Sequence, residues 1–244
     1  MLQKSFLVVA AAIFIALPSS LPAQSTSKAG TVETQSSANW ESAIKARRQQ
    51  LIQQNGQGTD TTLRSQLLAM RDKDQAVRGF SNGRPASGMT PDMLANMPAT
   101  DAELTQELKQ IVDQKGWPTI SLVGLEASNA AMLVLTHTAD HAWQAKLLPQ
   151  LEQLADARRI DASMLALVID KELVSEGKLQ RYGTQFKFVN GEMAMYGVED
   201  PGGLDQLRAR AMLPPMKVYK ETLAQIYHLK AGNAIVSATP PARN

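Results

Sequence analysis

The sequence contains no cysteine, few aromatic residues and almost no excess of charge. Without cysteine the chain can form neither a disulfide scaffold nor a thiolate zinc site, and it has no cysteine nucleophile. Its 25 lysine and arginine residues nearly balance its 23 aspartate and glutamate residues, and the formal net charge of +2 is too small to predict a nucleic-acid partner. The stability of the 244-residue chain must therefore come from a packed core.

The N-terminal segment has the composition of a secretory signal peptide. Lys4 precedes an uncharged apolar run at residues 6–17, which Pro18 and a small-residue segment ending at Ala23 follow. The apolar run is shorter than the roughly 20 residues that span a bilayer, and no cysteine follows it for a lipid anchor. The sequence thus predicts a signal peptide over residues 1–23 and an exported protein, periplasmic or secreted, with no membrane anchor after cleavage.

The remaining chain divides by composition into one domain and two flanking segments. Residues 24–38 are rich in Ser, Thr, Gln and Ala without an apolar period, and they predict a flexible linker. Residues 39–230 predict a single domain, within which Gly, Pro, Asn and Met gather at residues 79–100 and indicate a long loop. Residues 231–244 have no pattern and predict a disordered tail.

Hydrophobic residues recur at helical spacing through most of the domain. Leu63, Leu67, Met70 and Val77 predict one helix, with Asp60 as its N-cap. This periodicity predicts a mainly α fold.

Three further signals locate a helix start, a buried helix and a hairpin. Thr100 with Glu103 forms a capping box and predicts a helix start. The almost wholly apolar residues 125–138 predict a buried central helix. Apolar residues alternate on both sides of Asn190-Gly191 and predict a β-hairpin near residues 184–196. The predicted fold class is mainly α (α+β), a single helical domain with one small hairpin.

Four ionisable residues fall on the apolar faces of predicted helices: Asp74, His137, Asp170 and Arg208. Burying an unpaired charge is costly, so we expect these residues to meet one another or to line a wet cleft. Convergent polar groups in an apolar setting are typical of a small-ligand site. A satisfied buried network that fixes the helix register is the alternative interpretation.

A metal site is a further alternative at the two neighbouring histidines. His137 and His141 are four residues apart, which would place two imidazoles on one helix face, as in zinc sites. The sequence offers no third ligand at a characteristic spacing, and Asp140 could instead cap the next helix and take His141 off that face. We therefore expect no metal and no cofactor, and the two-histidine zinc site stays open as the alternative.

Two short motifs follow the predicted helices: Gly116-Trp117-Pro118, and Gln180-x-Tyr182-Gly183-Thr184-Gln185. With the four inward residues, they resemble an uncharacterised bacterial domain family defined by GWP, QH and QxYGTQ motifs. The resemblance spans about residues 63–220, and its specific part is the QxYGTQ block at residues 180–185. The chain departs from the family pattern at Thr136, Lys171 and Leu207, where the pattern has Gln, Arg and Arg. The matching residues are Asp74, Gln75, Arg78, Gly116, Trp117, Pro118, Thr119, Gly124, His137, Asp170, Gln180, Tyr182, Gly183, Thr184, Gln185, Asp205, Arg208, Leu213, Pro214 and Tyr219.

The family has no assigned activity, so the resemblance implies a shared site rather than a reaction. Because its motifs include all four inward residues, it favours a polar cleft for a small or peptide-like ligand, in a binding or a catalytic domain. In the catalytic version His137 transfers a proton and is held by Asp74 or Asp170. A non-catalytic structural or interaction module with a buried network is the alternative, and the sequence identifies no partner. The expected ligand-binding residues are Arg78, Gln180, Tyr182, Thr184, Gln185 and Arg208.

Overall fold

The computed structural model describes residues 31–81, 84–85, 90–189, 192–227 and 230–238. The described chain is mainly α with a small sheet, which confirms the predicted fold class. None of the helices in these ranges is both long and apolar enough to cross a membrane. The helices are α1 (Thr31–Asn55), α2 (Thr61–Val77), α3 (Pro91–Lys115), α4 (Ile120–Val123), α5 (Leu125–His137), α6 (His141–Asp156), α7 (Ala162–Ser175), α8 (Leu204–Arg210) and α9 (Met216–Tyr227). The strands are β1 (Phe80–Ser81), β2 (Arg84–Pro85), β3 (Phe186–Val189), β4 (Glu192–Tyr196) and β5 (Lys230–Val236).

The main core is built around α5. Every residue from 127 to 136 is buried, and α5 packs against α2, α3, α4 and α7. The neighbouring helices each turn one apolar face towards it, with side chains such as Leu67 of α2 and Leu108 of α3 wholly buried. The prediction of a buried central helix at residues 125–138 is therefore confirmed.

A second, smaller core lies at the three-stranded sheet. β3 and β4 form the predicted antiparallel hairpin, with Phe186 opposite Met195, and its predicted turn at Asn190-Gly191 lies outside the described residues. β5 pairs with β4 in parallel. The ring of Tyr219, on α9, lies 5.9 Å from the ring of Phe186. This core joins the hairpin to α9, which follows it in the chain.

Aspartate side chains set the starts of the helices that bound the site described below. Asp60 begins α2 and Asp140 begins α6, each by accepting a hydrogen bond from the backbone N–H three residues further on. The predicted cap at Asp60 is confirmed. Because Asp140 caps α6, His137 is the last residue of α5 and His141 is the first of α6, so the two imidazoles lie on different helices.

The predicted helix start at Thr100 is wrong. The loop predicted at residues 79–100 is also wrong over residues 91–100, which are helical. α3 begins ten residues earlier, at Pro91, and Thr90 is its N-cap, accepting from Met93 N at 3.2 Å. A capping threonine followed by proline is a strong helix start. The first turns of α3 are mostly exposed, and Met93 and Met97 are their half-buried apolar residues, so the apolar signal for a helix is weak there.

The predicted flanking segments are also partly wrong. Residues 31–38 of the predicted linker belong to α1, because extending a helix costs little once its nucleus exists. Residues 231–236 of the predicted tail belong to β5, whose backbone pairs with β4. The predicted signal peptide lies outside the described residues.

We expect Leu67→Ala to lower the free energy of unfolding by about 2–5 kcal/mol, because Leu67 is wholly buried between α2 and α5 and its truncation leaves a cavity. The measurement is urea denaturation followed by circular dichroism. Leu94→Ala is the matched control, since Leu94 on α3 is 46% exposed, and it should change the free energy by less than about 0.5 kcal/mol. Equal losses in the two variants would contradict the assignment of the core.

Candidate functional site

The last turn of α2 meets the C-terminal end of α5, and a carboxylate and an imidazole come together there. His137 Nδ1 lies 2.7 Å from Asp74 Oδ1. The Asp74 side chain is 1% exposed and that of His137 is 7% exposed. The two residues are 63 positions apart in the sequence, and the packing of α2 on α5 brings them together.

An arginine one turn after Asp74 links it to a second carboxylate. Arg78 Nη1 donates to Asp74 Oδ1 at 3.0 Å, and Arg78 Nη2 donates to both carboxylate oxygens of Asp101, at 2.7 and 2.9 Å. Gln75 Nε2 donates to the other oxygen of Asp74 at 2.9 Å. Asp101 lies in α3, so this cluster, which we call the dyad cluster, joins α2, α3 and α5.

The dyad cluster holds Asp74 ionised and His137 neutral near neutral pH. Burial raises the pKa of Asp74, but attraction to His137 and Arg78 and the hydrogen bond from His137 outweigh it and hold the pKa below its ordinary value. Burial lowers the pKa of His137 in spite of the opposing effect of the Asp74 carboxylate. Since ionised Asp74 can only accept, the proton of the neutral imidazole must lie on Nδ1.

Two nitrogens of the dyad cluster lack a hydrogen-bond partner among the described residues. They are Nε2 of His137 and Nε of Arg78, and both are buried. With the proton on Nδ1, Nε2 of His137 presents a lone pair. A buried polar atom left unpaired costs about 1–3 kcal/mol, so an unpaired acceptor beside a fixed carboxylate is a candidate for ligand binding or proton transfer.

Lys171 and Asp101 belong to this site and were missed by the sequence analysis as functional candidates. The Lys171 ammonium donates to the carbonyl of Thr136. Burial lowers the pKa of Lys171 to about 8, and repulsion from Arg78 acts in the same sense. The sequence did mark Lys171, because Lys171 and its contact Thr136 are both positions at which the chain departs from the family pattern. Asp101 gave no signal, because an acidic residue in the first turn of a predicted helix is ordinary.

A second cluster surrounds Asp170 and holds the turn at residues 180–185, so we call it the turn cluster. Asp170 Oδ1 accepts from the backbone N–H of Arg181 and of Tyr182, at 2.7 and 2.9 Å. Its Oδ2 accepts from the N–H and the hydroxyl of Thr184, at 2.8 and 2.9 Å. Burial raises the pKa of Asp170, and these four hydrogen bonds act in the opposite sense.

Arg208 closes the turn cluster from α8. Its Nη1 donates to the carbonyl of Tyr182 at 2.5 Å, and its Nε donates to the carbonyl of Pro214 at 2.6 Å. Gln180 Oε1 accepts from the backbone N–H of Gln185 at 2.8 Å, which ties the two ends of the turn together. The bonds of this cluster therefore fix the backbone of the chain between α7 and β3.

The predicted site residues thus fall into two clusters. Asp74, Arg78 and His137 lie in the dyad cluster, and of the two carboxylates expected to hold His137 the structure places Asp74 there. The remaining predicted residues, which lie in the turn cluster, are Asp170, Gln180, Tyr182, Thr184, Gln185 and Arg208. The two clusters lie on either side of α7, since Asp170 points to the turn and its neighbour Lys171 to the end of α5.

The two histidines each bind a different carboxylate. His141 Nδ1 lies 2.9 Å from Glu172 Oε2, on α7, whereas His137 contacts Asp74. Across the described part of the chain, no three His, Asp or Glu side chains are placed to hold a metal ion.

A cavity of about 600 Å³ lies on another side of α7, between α1, α6, α7 and α8. Of the predicted site residues, Tyr182 contributes to its wall. Its lining consists of Arg47, Gln50, Leu51, Gln54, Glu152, Ala155, Asp156, Arg158, Ile160, Ala162, Leu165, Ala166, Ile169, Tyr182, Leu207, Arg210, Ala211 and Met212.

Comparison with known proteins places the site within a recognised sequence family. The sequence model described as "Family of unknown function (DUF6624)" matches residues 61–232. These residues contain both clusters and exclude α1. No curated protein and no solved structure matches the chain.

We expect the stability of the protein to fall as the pH is lowered from 7.5 to 5, with His137 as a cause. Folding lowers the pKa of His137, so the unfolded chain binds the proton more tightly. The contribution of neutral His137 is complete above about pH 6.5 and is lost as the pH falls towards the folded-state pKa. The pKa of Asp74 is also lowered by folding, so the stabilising contribution of its ionised carboxylate is lost as the pH falls below about 3.9.

Thermal unfolding of the wild type and of His137→Gln between pH 5 and 7.5 measures this contribution. The midpoint of the variant should depend less on pH than that of the wild type, whereas His141→Gln, the matched control, should keep the loss of stability towards pH 5. The same slope in the wild type and in His137→Gln would contradict the assignment.

Proposed function

The chain belongs to DUF6624, a family of unknown function, and from the geometry of its own residues we propose that it acts on a small or peptide-like ligand through His137. The observation that carries the proposal is the buried Nε2 of His137, which has no hydrogen-bond partner in the described part of the chain, on a ring whose Nδ1 is fixed by Asp74. A neutral imidazole oriented by a carboxylate is the arrangement that general-base catalysis uses.

The surroundings of His137 suit proton transfer. As Nε2 accepts a proton from water or from a substrate group, the imidazole becomes positively charged, and ionised Asp74 stabilises that charge at 2.7 Å. Arg78 in turn holds Asp74 in place, since its guanidinium is fixed on its other side by Asp101. Lys171, with a pKa lowered to about 8, is the nearby cation from another helix that could orient an anionic or amide-bearing ligand.

A second candidate function is a non-catalytic interaction module, and the turn cluster favours it. Both oxygens of Asp170 are saturated by donors of the turn, and Arg208 is wholly buried and bound to backbone carbonyls. Side chains used in this way stabilise a loop conformation rather than contact a ligand. We therefore propose a positioning role for Asp170, Gln180, Thr184, Gln185 and Arg208, and a contact role for Tyr182, which lines the cavity.

We also propose that residues 1–23 are a signal peptide and that the protein is exported to the periplasm or beyond. The support is the sequence pattern alone: Lys4, the apolar run at residues 6–17, and the small residues that end at Ala23.

Expression of the full chain in a bacterium should yield an exported protein that begins at Gln24, because cleavage is expected after Ala23. Intact mass spectrometry of the exported fraction measures the N-terminus. Ile13→Lys, which interrupts the apolar run, is the control and should keep the protein inside the cell. A wild-type protein of 244 residues with its signal segment intact would contradict the proposal.

We expect the purified protein to hydrolyse 4-nitrophenyl acetate, used as a small acyl probe, and His137→Gln to lower the rate by about 100-fold or more, the lower range for a lost general base. Asp74→Asn should also lower the rate, because an asparagine does not stabilise the imidazolium. The release of 4-nitrophenol measures the activity, and circular dichroism establishes that each variant is folded.

His141→Gln is the matched control and should keep the wild-type rate, because this ring binds Glu172 on another helix. A folded His137→Gln variant with the rate of the wild type would overturn the proposal. So would a wild-type rate no higher than that of free imidazole.

A further inference from the structure

Four helices surround the 600 Å³ cavity, and each turns one face towards it. From α1 come Arg47, Gln50, Leu51 and Gln54, at offsets of 0, 3, 4 and 7 residues, which is one helical face. The facing helix, α7, contributes a stripe with the same offsets over residues 162–169, and this stripe is wholly apolar. The cavity thus has a polar wall and an apolar wall, and its volume lies in the range of small-ligand sites.

The charged residues of the lining favour a negatively charged ligand. Arg47, Arg158 and Arg210 come from three different segments and all line the cavity. Of the two lining carboxylates, that of Glu152 lies 3.3 Å from Arg181, a cation outside the lining. The lining therefore holds three arginines, of which Arg47 donates to the carbonyl of Ala209, against Asp156 and an already paired Glu152. This leaves an excess of positive charge at the polar wall.

Two of the lining residues have an unfavourable backbone conformation. Arg158 and Met212 have φ of 56° and 60°, the left-handed region that side chains disfavour. Each follows the end of a helix, α6 or α8, at the position that usually carries glycine. α7 ends with the same pattern of hydrogen bonds and uses Gly177, with φ of 76°.

Both strained residues line the cavity. Glycine would relieve the strain at either position, but it would remove a guanidinium from the polar wall or a thioether from the apolar lining. Backbone strain that the rest of the fold must offset is typical of ligand sites.

We propose that this cavity binds a small organic anion with an apolar body, of the chemical class of a medium-chain carboxylate. The carboxylate contacts Arg158 and Arg210, and the apolar body lies along α7 against Leu165, Ala166 and Ile169. Tyr182 belongs to the wall, and its backbone is held by Asp170 and Arg208, so the turn cluster positions part of this site. The proposal does not depend on His137, which lies outside the lining.

Isothermal titration calorimetry of the purified protein with octanoate tests this site. Octanoate should bind saturably, while acetate, which lacks the apolar body, and octanol and octylamine, which lack the negative charge, should bind at least tenfold more weakly. Arg210→Gln should weaken octanoate binding about tenfold, the loss expected for one charge-assisted hydrogen bond. Arg71→Gln on α2 removes the same charge outside the lining and should leave the affinity unchanged.

Arg158→Gly separates a loss of ligand binding from a loss of stability, which a purely structural role of Arg158 would not do. It should weaken octanoate binding about tenfold while the unfolding temperature stays the same or rises, because glycine adopts the left-handed conformation without strain. Ala166→Leu, which fills the apolar side, should abolish binding. His137→Gln should bind octanoate like the wild type, so this proposal and the proton-transfer proposal can fail separately.

Octanol binding as tight as octanoate binding would overturn the proposal, and so would the absence of saturable octanoate binding. Wild-type affinity in both Arg158→Gly and Arg210→Gln would also overturn it.

Discussion

The rest of the structure depends on the burial of two carboxylates, those of Asp74 and Asp170. Removing an unpaired carboxylate from water costs several kcal/mol, a large part of the net stability of about 5–15 kcal/mol that a domain has. Each carboxylate must therefore be surrounded by donors that come from other segments of the chain. Those donors tie α2 to α3 and α5 at Asp74, and α7 to the turn before β3 at Asp170. The helices can therefore pack in this way only if the donors of the two carboxylates are brought into place at the same time.

The two carboxylates are compensated by different chemistry, and this difference separates their roles. Asp170 is met by backbone N–H groups and a hydroxyl, which are neutral and fixed in place once the turn forms. Asp74 is met by an imidazole and a guanidinium, whose charges can change or be shared with other partners. A carboxylate saturated by backbone donors locks a conformation, whereas one that orients an imidazole with a free nitrogen can take part in proton transfer. The distinction supports the two proposed roles, a structural one for the turn cluster and a chemical one for the dyad cluster.

Patterns that act within one helix could be predicted from the sequence, and contacts across the fold could not. The apolar run at residues 125–138 identified α5, and the helical offsets of Asp74 and His137 identified both as inward residues, because these signals need only the local period. The same local reasoning failed at Thr100, where a cap sequence lies inside a longer helix that Thr90 and Pro91 begin. It also failed at β5, which is held by pairing with β4 rather than by any period of its own.

The partners of the inward residues could not be predicted from the sequence for a related reason. Asp101 is an ordinary acidic residue of an exposed helical stretch until α3 is placed beside α2, where it meets Arg78. Its inward role depends on the separation of two helices, which no spacing along the chain encodes. Lys171 was more accessible to prediction, since its contact with Thr136 joins two positions at which the chain departs from the family pattern.

The two proposed sites also differ in how much of each lies within the residues that match the family. The dyad cluster lies wholly within residues 61–232, the part of the chain that matches the family. The cavity lies partly within that range too, but part of its polar wall comes from α1, which precedes residue 61. Proton transfer by His137 would thus use residues inside the region that the family shares. The proposed contacts of the carboxylate, Arg158 and Arg210, also lie inside that region, whereas α1 adds Arg47, Gln50 and Gln54 to the lining from outside it. Although α7 borders both sites, it does so through different residues. The effects of substitutions at one site on stability should therefore be nearly additive with those at the other.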